Sequence, residues 1–154
     1  MTELLDAVRA KVSPDCLTQR CRRPGCGISL KGAPQQRVII DFDKPDSPLG
    51  ERDTRCDFLF VADDSNGPGW VAPLELKGGR VDVSEAIEQL QAGARVAEAL
   101  VSQDLKVNFR PVLASGNIPK AERTALKRTI SFHGNSTPVR RIRCGAPLTQ
   151  GLRQ

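Results

Sequence analysis

Short apolar runs alternate with polar stretches rich in proline and glycine along this chain. Residues 55–61 and 71–78 have the length and composition of buried strands, and a strong turn separates them. Residues 37–42 predict an earlier strand and residues 108–114 a later one, in which Pro111 favours an edge position or a bulge. The pattern therefore predicts four strands.

Other stretches have the period of helices. Residues 2–12 carry an apolar stripe, and residues 83–102 form the best helical pattern in the chain. Asp82 and Glu85 have capping-box spacing at the start of that second helix. Residues 119–128 predict a short basic helix. The helices and strands thus follow the order helix, three strands, helix, strand.

The remaining segments are less regular. Residues 14–36 contain many prolines and glycines and are expected to be irregular. After the basic helix, residues 129–132 and 139–143 predict two final short strands, which could form a hairpin around Gly134 and Asn135. At 154 residues, the whole chain is expected to form one domain.

Three charged residues interrupt the two central strands. Because side chains alternate along a strand, Asp57 shares a face with Leu59 and Val61, and Glu75 shares a face with Lys77. Buried carboxylates are costly unless they are paired or bind a metal ion. If the strands pair, two carboxylates and a lysine meet at one place, a combination suited to binding a divalent cation and hydrolysing a phosphodiester.

This pattern resembles the PD-(D/E)xK nuclease superfamily, which includes restriction endonucleases and RecB-type nucleases. Asp57 matches the first acid and Glu75-Leu76-Lys77 the E-x-K element, while Cys56 stands where the family usually has proline. The resemblance implies an α/β fold with a restriction-endonuclease-like αβββαβ core over about 37–115, in which helices flank a mixed sheet. A basic appendage would follow over about 116–154.

The resemblance also implies roles for individual residues. Asp57 and Glu75 would ligate Mg²⁺ or Mn²⁺ with the backbone carbonyl of Leu76, and Lys77 would position or activate water. Gln89 occupies the place of a catalytic glutamine in RecB-type members, although the tyrosine that often follows that glutamine is absent. The alternative for Gln89 is a solvated helix residue. The alternative for the three charges is a structural ion-pair cluster.

Charge is distributed unevenly along the chain. Residues 1–104 hold 13 Lys and Arg against 17 Asp and Glu, whereas residues 105–154 hold ten against one. This asymmetry predicts that the basic third binds a polyanion, with DNA favoured over RNA. The expected contact residues are Arg110, Lys120, Arg123, Lys127, Arg128, Arg140, Arg141 and Arg143.

Other features limit the location and assembly of the protein. The sequence contains no apolar run long enough for a membrane span, and the first residues do not resemble a secretory signal, so a cytoplasmic protein without membrane contact is expected. A single small core covers little of a DNA duplex, which makes a homodimer plausible.

The five cysteines leave two interpretations open. Cys56 is expected to be a buried apolar residue. Cys16, Cys21, Cys26 and Cys144 could form a Cys₄ zinc or iron–sulfur site, but their spacing lacks the close pairs of such sites, so free thiols are favoured. Disulfides are not expected in cytosol.

Three functions remain after these arguments. The first is a metal-dependent deoxyribonuclease that uses Asp57, Glu75 and Lys77. The second is a non-catalytic nucleic-acid-binding module of the same fold. The third is an interaction protein with a structural charge cluster. The complete acid–acid–lysine set favours the first function, and the basic third favours the first two.

Overall fold

The structure, a computed structural model, describes residues 3–48 and 54–153. It is an α/β fold with a mixed sheet flanked by helices, as predicted. Thr2, a residue type that can cap the first helix, lies outside the described residues, as does part of the polar stretch at 43–54.

In the described part of the chain, seven strands form the main sheet. They are β1 (Leu17–Thr18), β4 (Arg37–Asp41), β5 (Phe58–Asp64), β6 (Gly67–Lys77), β7 (Val107–Phe109), β8 (Val112–Ser115) and β11 (Arg140–Arg143). Six of them follow one path, in the order β1, β4, β5, β6, β8 and β11. Strand β7 pairs with the first part of β6, and β8 pairs with the last part along the same edge of β6.

Strand direction changes in the middle of the sheet. β4, β5 and β6 are antiparallel, whereas β6, β8 and β11 are parallel. The register places Glu75 beside Leu113 and Leu113 beside Arg141. Pairing of β5 with β6 begins only at Phe58 and Leu74, so Asp57 precedes the strand and the last residues of β6 have no β5 partner.

Two apolar cores lie on opposite faces of the sheet. Helices α1 (Glu3–Lys11) and α2 (Val83–Leu100) cover one face, and the predicted stripe of α2 is buried there. The second face is covered by α3 (Thr149–Leu152) and by a hairpin of β2 (Cys21–Arg23) and β3 (Cys26–Ile28). Helix α2 begins as predicted, because the Asp82 side chain accepts a hydrogen bond from the Glu85 N–H at 3.1 Å.

Residues 14–36 are more regular than predicted. This segment contains a 3₁₀ turn (Pro14–Cys16), strand β1 and the β2–β3 hairpin. The expectation that no disulfide forms is also wrong in this structure, because Cys26 and Cys144 are bonded, with Cα atoms 4.9 Å apart. The proline and glycine pattern concealed these short strands because each is two or three residues long, too short to show a period.

The last third of the chain pairs differently from the prediction. The predicted short basic helix is present as a 3₁₀ helix, Lys120–Lys127. Strand β9 (Thr129–Phe132) pairs with β10 (Asn135–Pro138) rather than with the final strand. His133 and Gly134 both have positive φ and form the turn between β9 and β10. The final strand, β11, instead joins the main sheet beside β8.

Pro111 interrupts a strand that lies inside the sheet. The predicted strand at 108–114 is divided into β7 and β8, because the proline supplies no N–H to a ladder. Of the two predicted alternatives, an edge position or a bulge, the edge position is wrong, since β11 covers the other side of β8. The observed interruption is instead a local irregularity of the strand. Within the described residues, no helix combines the length and apolar character needed to cross a membrane.

Candidate active site

The three residues singled out in the sequence lie together where β5 begins and β6 ends. The Leu76 N–H donates a 2.8 Å hydrogen bond to Oδ2 of Asp57, and the Asp57 N–H donates one of 3.1 Å to Oε1 of Glu75. Nζ of Lys77 is 3.1 Å from Oε2 of Glu75. Pairing between β5 and β6 stops at Phe58 and Leu74. The carboxylates of Asp57 and Glu75 therefore accept the N–H groups that a continued β-ladder would have bonded.

Glu75 is the most deeply buried of the three side chains. It is 2% exposed, whereas the Asp57 and Lys77 side chains are 18% and 19% exposed. Burial and the Asp57 carboxylate raise the pKa of Glu75 to about 8, against a smaller opposing effect of Lys77. Burial alone would lower the pKa of Lys77, but the carboxylates around it, with Glu75 the largest, raise it overall.

The pKa of Glu75 makes stability depend on pH when no divalent cation is bound. The pKa rises from an ordinary 4.5 to about 8 in the folded protein, so the neutral carboxyl favours folding below pH 4.5 and this contribution is lost as pH rises through 8. With chelator present, the free energy of unfolding of the wild type should fall between pH 5 and pH 8.5 by roughly 2–4 kcal/mol relative to Glu75→Gln. Urea unfolding at several pH values measures this difference, and parallel pH profiles of the two proteins would contradict it.

Gln89 lies on the helix that covers the site. Glu85 and Gly93 stand one turn before and after it on α2, and both face the sheet end: Glu85 contacts Lys77 at 3.6 Å, and Gly93 packs tightly against Cys56. Oε1 of Gln89 is buried and has no hydrogen-bond partner among the described residues. A buried acceptor without a donor is costly, so a bound water, ion or substrate group is the expected partner.

Arg23, which the sequence pattern does not single out, contacts the site from the β2–β3 hairpin. Its guanidinium lies 3.0 Å from Asp57, 2.8 Å from Asp41 and 3.3 Å from Asp43. The pKa of Arg23, which burial alone would lower, is raised by these carboxylates. No local pattern identified it, because it follows Arg22 in a segment without a clear period and lies 34 residues from Asp57.

The hairpin is held against the end of β6 by close backbone packing and by the disulfide. A Cβ at Gly78 would meet the Pro24 carbonyl at 2.6 Å, so only glycine lets the hairpin turn approach this closely. Cys26 pairs with Arg23 across the hairpin and is bonded to Cys144, whose sulfur is 3.7 Å from the Lys77 carbonyl. The hairpin therefore has a fixed position beside the candidate site.

The cysteines that could have formed a Cys₄ site are divided between the two faces of the sheet, and two of them are joined as the Cys26–Cys144 disulfide. Cys16 packs in the core on the α1 and α2 face, whereas Cys21 and Cys26 pack on the opposite face. Cys56 is fully buried, as predicted, and burial together with the Glu75 and Asp57 carboxylates raises the pKa of its thiol well above the ordinary value. Burial likewise raises the pKa of Cys21 to about 12.

The oxygen atoms where β6 ends could supply a divalent cation with only some of its ligands. Over residues 3–48 and 54–153, no group of three or more His, Cys, Asp or Glu side chains is arranged to hold a metal ion. A cation here would therefore use the two carboxylates of Asp57 and Glu75, a backbone oxygen and water. Because the N–H and C=O of one residue in an extended strand point to the same edge, the Leu76 carbonyl faces the gap that contains Asp57.

Charge also suits a cation. Among residues 3–48 and 54–153, the ion pairs of this cluster connect five carboxylates with two cationic groups. Its members are Asp41, Asp43, Asp57, Glu75 and Glu85 on one side and Arg23 and Lys77 on the other. Hard divalent cations prefer such oxygen donors.

The predicted basic contact residues fall into two groups, on the 3₁₀ helix and on β11, with Arg110 apart from both. Lys120, Arg123, Lys127 and Arg128 are exposed on or next to the 3₁₀ helix that packs on α2. Arg140, Arg141 and Arg143 lie on β11.

Within β11, the arginines have different neighbours. Arg143 is exposed and lies in the same row of the sheet as Ser115 and Lys77. Arg141 donates to the side chain and carbonyl of Ser115, so it also supports the local backbone.

Arg110 lies away from the candidate site. Its backbone N–H donates to Val71, four residues before Glu75, which corresponds to roughly 13 Å along β6. The guanidinium lies over the Trp70 ring at 5.6 Å, and its buried Nε has no partner in the described part of the chain. A phosphate contact by Arg110 would therefore lie at some distance from the reaction.

Comparison with protein-family models, with curated proteins and with solved structures gives no match to this chain.

Proposed function

We propose that this protein is a metal-dependent nuclease that hydrolyses phosphodiester bonds of DNA. The observation that carries the proposal is the direct contact of Asp57, Glu75 and Lys77 around an almost fully buried carboxylate. A purely structural ion pair rarely needs a second carboxylate beside a buried one, because like charges raise the cost of burial.

The strand arrangement supports a restriction-endonuclease-like core. The meander β4–β5–β6, followed by α2 and by β8 parallel to β6, has the order expected for an αβββαβ core. Asp57 precedes the second strand of that core, and Glu75 and Lys77 end the third. Agreement in order and position is less easily produced by chance than three residues alone.

Each residue has a role in this proposal. Asp57, Glu75 and the Leu76 carbonyl would hold Mg²⁺ or Mn²⁺, which when bound polarises the scissile phosphate and lowers the pKa of water. Lys77 stays protonated beside Glu75 and offsets charge that develops on the phosphate. Gln89 supplies a buried acceptor that can orient water at the site.

The test is a cleavage assay with purified protein. We expect cleavage that requires Mg²⁺ or Mn²⁺ and stops with chelator. Single-stranded, duplex and branched DNA should be compared with RNA of the same sequence. Metal-dependent binding of DNA without cleavage would instead favour the non-catalytic module.

The basic third should dominate affinity for DNA. Replacing three exposed residues, Arg123, Lys127 and Arg143, by Glu removes positive charges that would neutralise phosphates. We expect affinity to fall at least about tenfold, and the slope of log affinity against log salt to become shallower by about 0.9 for each phosphate that is no longer neutralised. Fluorescence anisotropy over a salt series measures both quantities.

A matched reversal tests whether position matters rather than net charge. Arg9, Lys31 and Arg95 are exposed basic residues outside the proposed docking set, and their replacement by Glu changes net charge equally. Affinity should fall much less in this control. An equal decrease in both proteins would show that the basic third is not a docking face.

A further inference from the structure

The guanidinium of Arg23 occupies the middle of three carboxylates. Its Nη2 is 2.8 Å from Asp41, and its Nε lies 3.0 Å from Asp57 and 3.3 Å from Asp43. Nη2 also donates to the Asp57 carbonyl at 3.1 Å, and the guanidinium carbon lies 4.1 Å above the Phe58 ring. The side chain is therefore fixed by contacts on several sides, and it is only 17% exposed.

The charge cluster has two parts, one around Arg23 and the other around Glu75 and Lys77, and Asp57 contacts both. One carboxylate oxygen, Oδ1, faces Arg23, while the other, Oδ2, accepts the Leu76 N–H beside Glu75. Phosphodiesterases that use two metal ions place them about 4 Å apart, so that both ions share a carboxylate. Here the position on the Arg23 side of the shared carboxylate is already held by a fixed positive charge, which cannot dissociate as an ion can.

We propose that Arg23 takes the place of a second cation, so that the site binds one divalent ion, between Asp57 and Glu75. Arg23 is then a positioning residue: it fixes the plane of the Asp57 carboxylate and offsets part of the negative charge of Asp41 and Asp43. This inference rests on the proposed function, because it concerns the ion which that function requires.

The test is the number of Mn²⁺ ions bound per chain. Titration calorimetry measures it, as does the decrease of the electron paramagnetic resonance signal of free Mn²⁺. The wild type should bind one ion. Arg23→Met should bind a second, weaker ion, because three carboxylates lose their shared cation. Arg23→Lys restores the charge and should bind one ion, as should Arg22→Met, which removes an exposed arginine next in the chain.

A second variant covers the case in which Arg23→Met does not fold. Asp43 is the most exposed of the three carboxylates, with 59% of its side chain accessible. In the wild-type background, Asp43→Asn should leave the number of ions unchanged and lower the affinity by well under tenfold, since no ion is held on that side and only the charge of the surrounding cluster changes. A tenfold decrease of Mn²⁺ affinity in Asp43→Asn would contradict the inference.

The outcomes separate the inference from the proposed function. Two ions in the wild type, or one ion in a folded Arg23→Met protein, would overturn the role of Arg23 and leave a metal-dependent nuclease intact. A wild type that binds no Mn²⁺ would contradict the proposed function, and the inference would fall with it.

Discussion

Replacing Glu75 by alanine should abolish metal-dependent cleavage, with a loss of at least about 10³-fold. The carboxylate is proposed as a ligand to the ion and as the partner of Lys77, so its removal eliminates two kinds of transition-state stabilisation at once. Asp57→Ala should have a similar effect.

Lys77→Ala should lower the rate by about 10²–10³-fold but largely preserve Mn²⁺ affinity, because the lysine is not a ligand. Initial cleavage rates and Mn²⁺ titrations of the same preparations measure the two properties.

Matched variants distinguish a catalytic loss from a general one. Glu88, Asp104 and Lys31 are exposed residues of the same types outside the charge cluster, and their replacement by alanine should leave cleavage within about twofold. Circular dichroism and melting temperature establish that each variant is folded. Full activity in a folded Glu75→Ala protein would exclude the proposed mechanism.

Removing the disulfide should cause the largest loss of stability. Cys26 and Cys144 are 118 residues apart in sequence, so the bond closes most of the chain into a loop. For a loop of about 100 residues, loss of this constraint on the unfolded chain costs roughly 4–5 kcal/mol. The double variant Cys26→Ser/Cys144→Ser should therefore show a much lower urea midpoint, and the wild type in reducing agent should approach it.

One of the free cysteines, Cys21, provides the control for this measurement. Cys21 lies on the neighbouring strand of the hairpin, is 2% exposed and takes no part in the disulfide. Cys21→Ala removes a buried sulfur, with a packing cost, but its stability relative to wild type should be the same with and without reducing agent. Equal stability of oxidised and reduced wild type would contradict a stabilising disulfide.

Much of the main architecture follows from local patterns. Helix α2 could be predicted because its apolar residues recur every three or four positions and Asp82 has the position of a cap. The proximity of Asp57, Glu75 and Lys77 could be predicted because two apolar runs joined by a tight turn pair as neighbours. In both cases, residues close in sequence determine the structure.

The remaining parts depend on contacts between distant segments. Arg23 reaches Asp57 only because the hairpin packs on Gly78, and Cys26 meets Cys144 only because β11 lies beside β8. The sequence around Arg23 or Cys26 does not indicate which distant residue it contacts. The sequence predicts strand β11 but not its partner β8, since an apolar pattern indicates which face is buried and not which strand is adjacent.

Strand β11 has a consequence for how copies of this protein meet. It is the last strand of the sheet path, and three of its four residues are arginines, Arg140, Arg141 and Arg143. An open sheet edge can recruit a matching strand from another molecule, and charged side chains on the edge oppose such growth. Two copies approaching along this edge would place arginine against arginine. The edge should therefore resist strand exchange and fibril formation at concentrations where a neutral edge would promote both.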